Sequence, residues 1–459
     1  MRNMKLLIFV LLTLLPGIVY SNYKVGPAYK VTGRGVSFEK QLNWQQIKER
    51  ARAENKYIFV DAYTTWCGPC RAMDREVYPN EKVGNSLNSK FISVKVQMDT
   101  SKIDDSRVKF WYDDARAIMK EFSISAFPTF LFFSPDGKIV HRAIGYKNID
   151  DFIALAEDAT NPQRQYYTLL NEYNEGKRDY KVANYLMNIA TGIGEKDQVD
   201  SIARDYLVNY LETMSDDKLY TRETIQFLAS YPKLVTSKSK LFSLLYHRQG
   251  DIDTMVHSKG FAHSMVKYIV SKEDIYPKLW KDPEHWTKSE PISDRPDWKK
   301  MTDVIRTKYD AELADEVILD SQVIWYYNYR KDWRMAAQYF IKRNERYGFA
   351  KTGMGALDVN EAIWYIIFVN SDDKDVIDKG IVYARSIVDA LEKEGLKGFN
   401  MASVIDTYAN LLYKAGRTKE AIEWEEKAVQ LSVDDKDPDR VREFQEIIGK
   451  MKATVPTWR

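Results

Sequence analysis

Residues Tyr57 to Arg71, YIFVDAYTTWCGPCR, constrain this chain more than any other stretch. An apolar run leads straight into Trp66-Cys67-Gly68-Pro69-Cys70, and these are the only two cysteines among 459 residues. Two cysteines separated by two residues in the first turn of a helix can close a small disulfide. The one at the N-terminal end, Cys67, faces free backbone N–H groups and the positive end of the helix dipole. Both effects favour a thiolate: moving a thiol from its free value of about 8.5 to about 7 corresponds to roughly 2 kcal/mol of differential stabilisation. Cys67 is therefore the expected nucleophile. Cys70, one turn inward, is expected to keep its proton until a mixed disulfide on Cys67 has to be resolved. Pro69 fits because the first helical turn needs no N–H from it.

WCGPC after an apolar strand resembles the thioredoxin superfamily, and three further positions match that family. Asp61, six residues before Cys67, matches its buried aspartate; Lys95 in FISVKVQMD matches the lysine facing it; Pro128 in ISAFPTFLFF matches the cis-proline that packs against the disulfide. The resemblance covers about residues 35–160. It implies an α/β thioredoxin fold and a thiol:disulfide oxidoreductase whose catalytic set is Cys67, Cys70, Asp61, Lys95 and Pro128, with Trp66, Gly68, Pro69 and Phe127 meeting the bound partner. Phe127 is bulkier than the small aliphatic residue more usual before that proline, which leaves the substrate open. Asp61 has two readings: a capped strand end amid Phe59, Val60 and Ala62, or a buried carboxyl of raised pKa that accepts the Cys70 proton.

No cofactor or metal is expected. A structural zinc would need two more thiolate or imidazole ligands, and His141, His247, His257, His263 and His285 show no metal spacing. The 68 basic residues nearly balance the 66 acidic ones, so there is no electrostatic case for nucleic acid. Gly33-x-Gly35 is too short for a nucleotide fingerprint and reads as a loop. Of the whole chain, 44% is hydrophobic and 29% charged, ordinary for a soluble globular protein, and the length suits two or three domains.

The first 21 residues read as a signal peptide. Arg2 and Lys5 precede the apolar run Leu6 to Leu15, Pro16-Gly17 breaks it, and Val19-Tyr20-Ser21 supplies slim residues for a peptidase. The run is shorter than the 18 or so apolar residues of an anchor, so cleavage near Asn22 is expected, with no membrane span afterwards and an extracytoplasmic destination, the bacterial periplasm. No cysteine follows the run, which argues against a lipoprotein. Exported proteins that use cysteine for stability usually carry several pairs; a single pair at redox spacing is for chemistry.

From Val36 onward the pattern alternates strands and helices through residue 160. GVSFEK is a short strand and Asn43 caps a helix running to Glu54. Tyr57–Thr64 is the buried central strand, and the Cys67 helix continues through Arg75. Phe91–Met98 is the next buried strand. TSKIDDSRVKFWYD then inserts about a dozen residues, and the stretch around Trp111 and Tyr112 reads as a candidate partner surface. Phe130–Phe133, the turn Ser134-Pro135-Asp136-Gly137 and Lys138–Ile144 make a hairpin. Asn148 caps a last helix ending near Thr160, and Asn161-Pro162 marks a boundary, so that 22–160 forms the thioredoxin-like domain.

Residues 161–297 read as all-α, with a helix-turn-helix pair around Leu170, Gly176 and Leu186 and a proline-rich linker or surface loop at 282–297. Residues 298–459 resemble tetratricopeptide repeats. In DTYANLLYKAGRTKEAIEWEEKAVQL, Ala409, Ala421 and Ala428 fall at that repeat's close-packing positions, Gly416 turns between helices, and Tyr408, Leu411, Leu412, Trp424 and Leu431 form apolar faces. Degenerate copies recur at about 40 rather than 34 residues, which keeps an irregular helical bundle open. Stacked pairs would present a concave surface suited to extended peptides. Two functions are consistent with this layout. One is an exported oxidoreductase whose helices dock thiol or disulfide clients or a partner, served by an electron-donor protein. The other is an envelope scaffold carrying an accessory thioredoxin domain. An intact dithiol favours the first, and Gly68-Pro69, the dipeptide of reducing relatives, favours a reductase or isomerase over primary oxidation.

Overall fold

The computed structural model describes residues 35–395 and 399–458; the signal-peptide reading and the Gly33 loop position lie outside them. The described residues divide into two compact units between Met214 and Ser215.

In the first unit the elements follow in the order β1 (Phe38–Glu39), α1 (Trp44–Glu54), β2 (Tyr57–Tyr63), α2 (Gly68–Ala72), α3 (Glu81–Asn88), β3 (Phe91–Gln97), α4 (Ser106–Phe110), α5 (Tyr112–Glu121), β4 (Thr129–Phe133), β5 (Ile139–Ile144) and α6 (Ile149–Thr160). The strands form one sheet in the order β1-β3-β2-β4-β5, with β1, β3 and β2 parallel and β4 antiparallel to both β2 and β5. Because successive strand residues point to opposite faces, β2 sends Ile58, Val60 and Ala62 into a core shared with α1 and α5, and Phe59 into another shared with the turn Met73–Val77, α3 and α6. Burial on both faces explains its near-continuous apolar run. Asp61 has the same parity as Phe59, opposite Lys95 of β3 and Phe130 of β4 in register.

Local signals are met where they were expected. Asn43 closes a capping box with Gln46, and Asn148 caps α6. In the β4–β5 turn Gly137 takes φ +86°, a conformation that strains any residue with a Cβ. Two readings change. The dithiol helix stops at Ala72 and continues as a π-helical turn, Met73–Val77, closed by Tyr78 N–H donating to the Met73 carbonyl (3.0 Å). In the insert, Asp105 caps α4, and Trp111 is buried in the core cluster that holds Ile118 and the β2–β3 face. Trp111 is therefore core and not a partner surface, because a ring of that size gains more from burial than any other side chain available there.

The sheet does not end at α6. Helices α7 (Tyr166–Asn174), α8 (Ala183–Ile193) and α9 (Lys196–Asn209) follow in the same unit. The Tyr166 N–H donates to Nδ1 of His141 on β5 (3.0 Å), and the Tyr166 hydroxyl donates to Glu195 (2.6 Å). Both Tyr166 and His141 are fully buried.

The second unit is all helical. Paired helices run at Ala311–Ile324 with Trp333–Tyr347, Gly353–Ala362 with Lys374–Lys393, and Phe399–Lys414 with Thr418–Asp434. Ala409, Ala421 and Ala428 are all solvent-inaccessible, and Gly416 turns the chain at φ +82°. The stretch 282–297 is a loop folded back by pairing of Trp280 with Pro291. Despite its burial, Glu316 is held down to about 2 by His263, Lys267 and Arg343, at 2.6, 2.7 and 3.0 Å. No helix among the described residues is long and apolar enough to cross a membrane.

Candidate active site

The C-terminal end of β2 delivers the chain into α2, and Cys67 is the N-cap of that helix: its Sγ accepts the Cys70 N–H at 3.1 Å. The two cysteines are joined in a disulfide with Cα atoms 5.3 Å apart. Both are nearly inaccessible, at 3% and 2%, whereas Trp66, Gly68 and Pro69 around them are exposed. On reduction the Cys67 sulfur would sit at a helix N-terminus with a backbone donor already aimed at it, which stabilises a thiolate.

The loop before β4 supplies the opposite wall. The Phe127–Pro128 peptide is cis, and Pro128 is buried with its carbonyl accepting the Gly145 N–H at 2.8 Å. Half-buried Phe127 meets Trp66 edge to face, ring centroids 5.8 Å apart. The structure thus brings together the loop of the dithiol and the loop of the cis-proline through two aromatic side chains.

Asp61 of β2 is 1% exposed, and no backbone N–H donates to its carboxylate. A strand-end cap would require such a donor, so Asp61 is no cap. Burial pushes its pKa up to about 7, while the Lys95 ammonium, 3.8 Å away, pulls the other way. Burial wins, and the net rise corresponds to roughly 4 kcal/mol. Lys95 divides its charge: it is ion-paired to Asp74 and lies over the rings of Tyr63 and Tyr78, 4.6 and 5.6 Å from their centroids. The Tyr78 hydroxyl, also buried, has its pKa raised by burial and by the neighbouring Asp61 carboxylate.

Sequence reading missed the residues that hold the dithiol loop from outside. Asp99, just past β3, accepts hydrogen bonds from the Thr65 N–H and hydroxyl, and Arg71 donates to the Thr65 carbonyl. The signal was a lone acid at a strand end, which carries no motif. No group of three or more metal-ligating side chains occurs among the described residues.

This arrangement defines a thioredoxin-like oxidoreductase domain with a CxxC disulfide. A thioredoxin-like domain profile matches residues 44–160. Over 123 residues the chain is 30% identical to an H-type thioredoxin of Picea mariana, spanning 26% of this chain and 83% of that one. It is 27% identical over 134 residues to the thiol:disulfide interchange protein DsbD of Pseudoalteromonas atlantica, spanning 29% of this chain and only 20% of the relative. Among solved structures, a candidate disulphide-isomerase from Bacteroides thetaiotaomicron aligns at 26% identity over 28% of this chain and 96% of its own, with a TM-score of 0.24. Through residues 44–160 the chain belongs to the thioredoxin-like family.

Proposed function

We propose that the protein is an exported thiol:disulfide oxidoreductase of the reductase or isomerase type, working in the bacterial periplasm, with its helical region docking protein clients. The observation that carries the chemistry is Cys67 Sγ at the N-cap of α2, in a unit that also buries the Asp61 carboxyl. In the reduced protein the Cys67 thiolate attacks a client disulfide; a mixed disulfide forms, and one client sulfur leaves as a thiolate. Asp61 then takes the Cys70 proton, and the Cys70 thiolate attacks the Cys67 sulfur. The second client sulfur leaves, the client is reduced by two electrons, and the Cys67–Cys70 disulfide is formed. An electron-donor protein returns two electrons and completes the cycle. Export is supported by the charged start and short apolar run of residues 1–21. The paired helices with close-packed Ala409, Ala421 and Ala428 support a tetratricopeptide-like docking surface. The name of one relative, a thiol:disulfide interchange protein, is consistent with protein clients.

Trapping is the test. Cys70→Ser should accumulate mixed disulfides on Cys67, whereas Cys67→Ser should abolish insulin-disulfide reduction and trap nothing. Equal trapping by the two variants would refute the division of roles, and an inactive parent protein would refute the oxidoreductase reading.

A further inference from the structure

Thr65, two residues before Cys67 in an exposed loop, has every polar atom engaged. Its N–H donates to both oxygens of the Asp99 carboxylate (3.0 and 3.1 Å), its hydroxyl donates to the same carboxylate, and its carbonyl accepts from Arg71 Nη1 (3.0 Å). Water ordinarily satisfies a loop threonine, so folding alone does not require this grip. One jaw, Arg71, follows Cys70 in α2. The other, Asp99, stands where the insert leaves β3, and it is itself anchored. Gln97 Nε2 donates to the Asp99 carbonyl (3.2 Å) and to the Asp104 carboxylate (3.0 Å). Asp104 also accepts from the Ser101 N–H and the Tyr112 hydroxyl, both at 2.6 Å. The insert is thus folded onto a carboxylate that steadies the strand end holding the dithiol loop.

The next residue in that loop is Trp66, 68% exposed and edge-on to Phe127. A large ring left in water beside a nucleophile is placed for contact with an approaching polypeptide. Holding its backbone before the client arrives removes an ordering cost from binding. We propose that Asp99 is a positioning residue for exchange with polypeptide disulfides: through Thr65 it fixes the turn that presents Trp66 to the client. This rests on the oxidoreductase reading above. A small disulfide reaches the sulfur without needing the Trp66 surface, so the effect of Asp99 is selective for polypeptides.

The test uses the full-length protein turned over with dithiothreitol, with insulin as the polypeptide disulfide and an aromatic dinitrobenzoate disulfide as the small one. Asp99→Ala should raise KM for insulin about tenfold while kcat stays within about twofold, since only positioning for binding is lost. The small disulfide should be reduced at the parent rate. Asp99→Asn, which keeps an acceptor for the Thr65 N–H, should recover most of the loss. Thr65→Val removes only the hydroxyl and should raise KM about threefold, and its effect should vanish on top of Asp99→Ala. Unchanged KM in either single variant, or equal slowing of both substrates, would overturn the proposal; if Asp99→Ala fails to fold, Thr65→Val decides alone. A parent protein that reduces neither substrate would instead overturn the oxidoreductase reading, and this proposal with it.

Discussion

Asp61 concentrates the electrostatic conflict of the site in one side chain. Its folded pKa of about 7 stands above the ordinary 3.8, so between those values the folded protein holds a proton that the unfolded chain releases. The stability linked to that proton is complete below about pH 4 and is lost as pH rises through 7, by roughly 4 kcal/mol at most. With the disulfide kept oxidised, so that no thiol titrates, Asp61→Asn should be more stable than the parent above pH 7, and the difference should vanish toward pH 4. Denaturant midpoints at pH 4.5 and 8 measure this; identical shifts at both would show that the carboxyl is not buried in its charged form. In the reduced protein the same change should slow resolution by Cys70 more than first attack by Cys67, because only resolution needs a proton acceptor. The Cys67–Cys70 pair, the cis peptide before Pro128 and the burial of Asp61 were legible through the resemblance to thioredoxins, whose motif lies in short stretches beside apolar strands. Asp99 was not, since its partner Thr65 is 34 residues away and no local pattern joins them.

At the scale of elements, caps and turns were legible because Asn43 with Gln46 and Gly137 in its turn each act within a few residues. The π-helical turn after Ala72 and the burial of Trp111 were not, because both follow from packing across the sheet. The junction of β5 with α7 is a third case. His141 reads in sequence as one more strand residue, yet its Nδ1 accepts the Tyr166 N–H, and its Nε2 has no partner. Burial pushes its pKa down to about 4 from 6.5, so the unfolded chain binds the proton that the folded one refuses. The associated stability is full above pH 6.5 and is lost as pH falls through 4, roughly 3 kcal/mol in all. His141→Asn, whose side-chain oxygen can replace Nδ1 as acceptor but cannot titrate, should flatten the acid side of the stability profile between those values. An unchanged slope in urea melts from pH 6.5 to 4 would place the acid sensitivity elsewhere.

Across the whole molecule, the reacting groups and their supports, from Asp61 to Pro128, lie inside the first unit, and that unit extends to Met214, with Tyr166 and His141 buried against each other. A fragment of residues 22–214 therefore contains the complete chemical site, whereas one ending at 160 would strip the cover from β5. The 22–214 fragment should reduce a small disulfide as fast as the full chain, since Cys67, Cys70, Asp61, Lys95 and Pro128 all lie within it. Client choice is a separate matter under the function proposed above, which assigns it to the paired helices ending in Thr418–Asp434. Cys70→Ser in the full-length chain should then trap a few defined proteins when expressed in the envelope. The same substitution in the 22–214 fragment should trap fewer of them and more indiscriminately, because avidity from a second contact raises effective concentration only when both contacts are on one chain. Mass spectrometry of the trapped species makes the comparison. Identical sets from the two chains would show that the helical unit does not select redox clients, and its role would then lie outside disulfide exchange.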